Sequence, residues 1–138
     1  MATYTKFNAF VADVANKVHN FSSDVITVAL TNTAPVATNS VLTDITEISY
    51  TNLSSRTVTT TSSTQTSGTY HYIAADLVLT ASGAVGPFRY VVLYNSTPTN
   101  KNLIGFYDYG SAVTMASGET FTIDFDNVTG VFTLQWSN

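Results

Sequence analysis

Apolar positions repeat first at helical spacing and then at strand spacing. Phe7, Phe10, Val11, Val14 and Val18 stand at i, i+3, i+4, i+7 and i+11, one stripe of a 3.6-residue period. The stripe predicts a short helix with Thr5 as N-cap and Asn20, Ser22 and Ser23 as its stop. A helix of about 14 residues is marginal alone in water. Its apolar side must therefore dock, either on its own domain or on a neighbouring subunit.

Strand signals follow. Val25–Thr31 is β-branched and ends at the turn Asn32–Pro35. Val41, Leu42, Ile45 and Ile48 recur every three or four residues and predict one or two helical turns, capped by Asn39 or Ser40, with Asp44 and Glu47 outward. Leu53–Thr66 is nearly all Thr and Ser, with high β propensity and almost no apolar face. It reads as an exposed edge strand or a long loop. Thr69–Ala81 reads as one strand. One face holds His71, Ile73, Ala75, Leu77 and Leu79, and the other Tyr70, Tyr72, Ala74, Asp76 and Val78.

Pro87–Asn95 is apolar on both faces, with Phe88, Tyr90, Val92 and Tyr94 against Val91 and Leu93. That pattern predicts a central strand covered on both sides, or one facing a partner. Asn102–Gly110 sets Ile104 and Phe106 against Leu103, Tyr107 and Tyr109. Near the C-terminus, Phe121, Ile123 and Phe125 alternate with polar residues, as do Phe132, Leu134 and Trp136. Asn127 to Gly130 between them supplies turn residues, so the two runs read as a β-hairpin. A further pair is expected across Ala116–Gly118. There is no β-α-β alternation after residue 50, which disfavours a parallel sheet. The expected fold is mainly β: an antiparallel β-sandwich or partly closed, jelly-roll-like barrel of six to eight strands with a short N-terminal helix. Residues 1–138 read as one domain, with 1–22 as a helical segment packing on it or on a partner.

Composition narrows the function. Thr, Ser and Asn number 24, 14 and 11, together 49 of 138 residues, while charged residues are only 10%. A net charge of −4 with five basic residues argues against nucleic-acid binding, which needs Lys and Arg to displace counterions. Apolar stretches such as Val91–Tyr94 are far too short to span a bilayer. The first ten residues have no charged start before an apolar block, so no secretory signal is expected. The absence of cysteine excludes disulfides, thiol catalysis and thiolate metal sites.

Catalytic signals are weak. His19 and His71 lie far apart in sequence, and no G-x-S-x-G elbow accompanies them. Asp124 and Asp126 share a strand face, a spacing compatible with a glycosidase pair, but alternate carboxylates on a wet face are ordinarily solvated. The same two, with Asn127 and Thr129, can be arranged as a calcium site, yet there is no D-x-D-x-D-G loop. ASGAVG (Ala81–Gly86) lacks the lysine of a phosphate loop. No cofactor, metal or catalytic residue is expected. Tyr70, Tyr72, Tyr90, Tyr94, Tyr107 and Tyr109 can serve as flat rings for carbohydrate, or as core and contact residues. Sequons at Asn20, Asn52, Asn95 and Asn127 are expected by chance in a Thr-rich chain.

Three stretches carry a resemblance: KFNAFVADVANKVHNFSSDVITVALTNTAP (Lys6–Pro35); GPFRYVVLYN (Gly86–Asn95) with LIGFYDYG (Leu103–Gly110); and ASGETFTIDFD (Ala116–Asp126). Together they cover more than half the chain. The pattern resembles the head decoration, or capsid cement, proteins of tailed bacteriophages. The resemblance implies a β-rich structural protein of the virion, assembled in the host cytoplasm. Such a protein binds the outside of the expanded shell, often as a trimer, and bridges subunits of the major capsid protein. Phe7, Phe10, Phe88, Tyr90, Phe106, Tyr107 and Tyr109 are the candidate contact residues for a second copy or the capsid. Other readings are a tail or baseplate adhesin module for host-surface glycans, and a head–tail or tail-tube component.

Overall fold

The computed structural model describes residues 2–135 and is a β-sandwich. Among the described residues there are nine strands and one α-helix. One sheet is built from β1 (Thr3–Lys6), β2 (Ile26–Thr31), β6 (Val85–Asn95) and β7 (Leu103–Met115), in the order β1-β7-β6-β2. A three-stranded sheet has the order β3-β4-β9, from Thr60–Thr66, Thr69–Ala74 and Phe132–Leu134. Strands β5 (Leu77–Thr80) and β8 (Thr120–Ile123) form a separate pair. Every pairing is antiparallel. No barrel closes.

The four-stranded sheet is covered on both faces, which is why β6 is apolar on both. On one face Val91 and Leu93 of β6 join Val28, Leu30, Tyr72, Leu79 and Ile123 in the main core between the sheets. On the other, Tyr90, Val92 and Tyr94 join Phe7, Ala29, Ile45 and Phe106 in a smaller cluster. A short 3-10 turn at Leu42–Asp44 helps cover that second face. The Asp44 carboxylate accepts bonds from the Ser40 and Val41 amides at 2.9 and 3.2 Å. These bonds hold its carboxyl below the usual range. Asp44 thus caps the turn, in place of Asn39 or Ser40.

Breaks in the β6–β7 register reassign faces that simple alternation misplaces. The β6–β7 register shifts between Val85 and Phe88, between Phe88 and Tyr90, and again between Leu93 and Tyr94. A bulge adds one residue to one strand, so alternation changes phase across it. Phe88 enters the main core with Val85, three residues before it, while Tyr90 and Val92 lie on the other face. Ile104 lies with Tyr107 and Tyr109, and Leu103 with Phe106.

The helix is shorter than its apolar stripe predicts. α1 spans Asn8–Ala15, and Thr3–Lys6 forms β1 on the edge of the large sheet. Tyr4 pairs with Tyr107 at a ring distance of 5.1 Å and lies over Gly105, where any Cβ would collide with it. Phe7 and Phe10 fall in different core clusters, and Val11 is 58% exposed, so the five residues do not share one buried side. Phe10 docks the helix on the chain's own core, against Phe21 and Phe132 at 6.0 and 5.1 Å.

The predicted C-terminal hairpin is not formed. β8 pairs with β5 and β9 with β4. The expected long strand 69–81 is likewise two strands in two sheets. Both breaks meet at one corner, where the Phe125 amide donates to the Asp76 carboxylate at 3.0 Å and the Val131 amide to the Tyr72 carbonyl at 2.7 Å. Strands that switch sheets at corners are a known device of orthogonal packing. Across the break the buried parity changes, so Tyr72 and Ala74 are buried in β4 and Leu79 in β5. Gly130 has φ +94, and a Cβ there would strike the Tyr72 carbonyl. The turn Ala116–Glu119 carries the chain from the large sheet to the β5–β8 pair, and β7 does not pair with β8. Trp136, expected in the last strand, lies outside the described residues.

Candidate binding groove

The seven candidate contact residues separate into two sets. Phe7 and Phe88 have no exposed surface and Phe10 is 2% exposed, while Tyr90 and Phe106 are each 9% exposed. Burial in the chain's own core leaves these five with almost no surface to offer a partner. Their apolar character reflects the two-sided burial of the central sheet. Tyr107 and Tyr109 are half-buried and remain accessible.

Those two tyrosines stand two residues apart on β7, hence on one face. Their rings are 6.4 Å apart and inclined by 50°. Tyr109 is steadied by Phe121 at 5.0 Å, and Tyr107 by Phe125 at 6.1 Å and by Tyr4. They line a groove of about 770 Å³. Residues of the corner segments line it too, among them Asp76, Asp124 and Asp126. No Lys, Arg or His lines it among the described residues.

The carboxylates differ in how they are held. Asp126 accepts the Val128 and Thr129 amides at 2.8 and 3.0 Å and the Thr129 hydroxyl at 2.8 Å. These bonds hold its carboxyl below the usual range. They make it a turn-capping residue, with its oxygens already engaged. One Asp76 oxygen accepts the Phe125 amide. Asp124 is exposed. Burial, with the Asp124 charge added, pushes the Tyr109 hydroxyl up to about 12. Burial likewise raises Tyr107, helped by the charges of Tyr109 and Asp126. Both phenols stay protonated at neutral pH and can donate hydrogen bonds. Among the described residues no three acidic or histidine side chains are placed to hold a metal ion.

The remaining candidates are structural in their surroundings. Tyr72, Tyr90 and Tyr94 are buried and cannot present rings to a ligand. His71 bonds the Thr129 carbonyl at 3.0 Å. Asn95 is fully buried, so its sequon is inaccessible in the folded chain. His19 packs beside Phe10 and Phe21 and meets the Asn95 amide at 3.1 Å. The groove's carboxylates are visible in the sequence as Asp76, Asp124 and Asp126, but only the corner brings them into one groove with Tyr107 and Tyr109. Tyr4 stands just before the predicted N-cap Thr5, inside the 1–22 segment read as helical; its pairing with Tyr107 places it on a strand instead.

No protein-family model matches this chain, and no curated protein or solved structure was found to be similar to it.

Proposed function

We propose that this chain is a non-catalytic structural protein of a bacteriophage virion. It decorates the outer surface of the mature icosahedral capsid and bridges subunits of the major capsid protein, working as a homo-oligomer, with a trimer favoured. The observation that carries this reading is the outer edge of β3, which pairs with no other strand among the described residues. Thr60–Thr66 (TTSSTQT) pairs with β4 on one side only and contains no charge and no proline. Free strand edges are templates for another chain, and monomers usually blunt them with Lys, Pro or a covering segment.

The contrast with β2 supports this reading. Its outer edge is closed within the chain. The Val28 amide donates to the Arg56 carbonyl at 3.0 Å, the Arg56 side chain donates to the Val28 carbonyl at 2.6 Å, and the Leu30 amide donates to the Tyr50 hydroxyl at 3.0 Å. The Arg56 guanidinium also lies 3.7 Å from the centre of the Tyr50 ring. One edge is thus protected and another left open among the described residues. A surface with few charges loses little by desolvation when a neighbour covers it. Binding the expanded shell alone stabilises that shell by mass action. The resemblance of three stretches to head decoration proteins supplies the identity of the partner.

Co-sedimentation with expanded capsids of the cognate phage lacking this protein tests the reading, with unexpanded shells as control. Saturable binding to expanded shells alone is the expected result. Absence of binding to either shell rejects it and turns attention to tail assemblies. Thr64→Lys puts a charge on the exposed edge. It should weaken shell binding about tenfold or more while thermal stability changes by about 0.5 kcal/mol or less, the usual range for surface substitutions. Undiminished binding would remove β3 from the interface.

A further inference from the structure

We propose that the groove between β7 and the sheet-switching corner is a binding site for a neutral saccharide. This does not rest on the virion reading and is tested on the isolated protein.

Three features converge. First, the groove offers aromatic surface that is fixed in place. Tyr107 and Tyr109 are held at 6.4 Å from each other, each braced by a phenylalanine. Rings presented this way pack against the apolar C–H faces of pyranoses, and their hydroxyls remain donors. Second, acceptors line the same groove as the rings. Asp124 is exposed, and Asp76 uses one oxygen for the Phe125 amide. A carboxylate accepts hydrogen bonds from paired hydroxyls and is a strong acceptor where water is partly excluded. Third, the lining contains three carboxylates and no basic side chain among the described residues. Anionic sugars, phosphates and nucleotides are therefore repelled.

A shared metal ion is disfavoured by the spread of the carboxylates among the described residues. The carboxylates do not gather into a set of three able to share an ion. A row of rings and separately placed acceptors suits a chain of hydroxyl donors. The volume of about 770 Å³ lies in the range of ordinary small-ligand sites.

The test is a printed glycan array spanning neutral, amino and anionic structures, with hexalysine as a peptide control. Hits are titrated calorimetrically. The expected result is saturable binding of at least one class of neutral glycan, with anionic glycans silent. Asp124→Asn should weaken the titrated hit about tenfold, the loss of one charge-assisted hydrogen bond. Thr122→Arg, at an exposed position of the lining, should abolish binding by filling the groove. Circular dichroism confirms that both variants are folded. Silence across the neutral glycans overturns the proposal. So does binding unaffected by both variants, equal binding of anionic glycans, or binding of hexalysine in place of any glycan.

Discussion

Phe88→Ala should lower the free energy of unfolding by about 3–5 kcal/mol, and Phe106→Ala should cost about 3 kcal/mol. Phe88 has no exposed surface and meets Phe121 edge-on at 5.2 Å, tying the large sheet to β8. Phe106 sits on the opposite face, with Phe7 at 5.3 Å and Tyr90 at 6.3 Å. Removing either ring loses its transfer free energy and leaves a cavity that the rigid sheet cannot close. Domains of this size have only about 5–15 kcal/mol of stability in total. Chemical denaturation of the monomer reads the loss directly, as a lower midpoint at unchanged slope. The outcome discriminates between two roles. A residue whose apolar side serves a subunit contact leaves the monomer stable when truncated and weakens only assembly. A loss below about 1 kcal/mol for Phe88→Ala, within the range of ordinary surface changes, would return it to the list of contact residues.

The same two residues show how far the sequence could be read. The run Phe88–Tyr94 marks a strand buried on both sides, and it is one. What alternation could not disclose is that Phe88 lies on the opposite face from Tyr90, across a break where one residue of β6 stands against four of β7. Such a break depends on register with a neighbouring strand, which no local pattern encodes. The corner is hidden for a related reason. Residues 69–81 alternate well enough for one long strand, and 119–136 well enough for a hairpin. Both are broken by bonds between segments distant in sequence, Phe125 to Asp76 and Val131 to Tyr72. The groove inherits that difficulty. Tyr107 and Tyr109 were identifiable as exposed-ring candidates, but the acidic residues that share the groove with them are placed by the corner. The segment 53–66, open between an edge strand and a long loop, was half legible: Thr60–Thr66 is an edge strand, hydroxyl-rich and without an apolar face, while the residues before it bond along β2 and bury Val58.

Asn95→Ala should cost about 3 kcal/mol and should also alter the response to acid. Asn95 is fully buried at the end of β6. Its Oδ1 accepts the Thr97 amide at 3.1 Å, and its Nδ2 donates to the Asp24 carboxylate at 2.6 Å and to His19 Nδ1 at 3.1 Å. The Thr97 and Asp24 contacts fix which way the amide faces. The second Nδ2 hydrogen then requires a lone pair on His19 Nδ1, so the imidazole proton belongs on Nε2. That Nε2 is buried without a partner among the described residues. Burial lowers the His19 pKa, with the charges of Asp13 and Asp24 opposing the shift.

The sign follows from linkage. An unfolded histidine takes up a proton near pH 6.5, whereas native His19 does so only at lower pH. Between those two values the unfolded state binds more protons. Stability is therefore undiminished by His19 above about pH 6.5 and declines as pH falls below it. The decline ends at the native pKa. In Asn95→Ala the opposing N–H is gone, and Asp24 loses a donor that competed for its charge. Both changes let His19 accept its proton more readily in the folded state. Denaturation midpoints at pH 7 and pH 5 should therefore differ less in the variant than in the parent, on a baseline lowered at both. A variant that loses stability but keeps the full acid dependence would separate the Asn95 contacts from the His19 proton and leave burial among Phe10 and Phe21 as the sole cause.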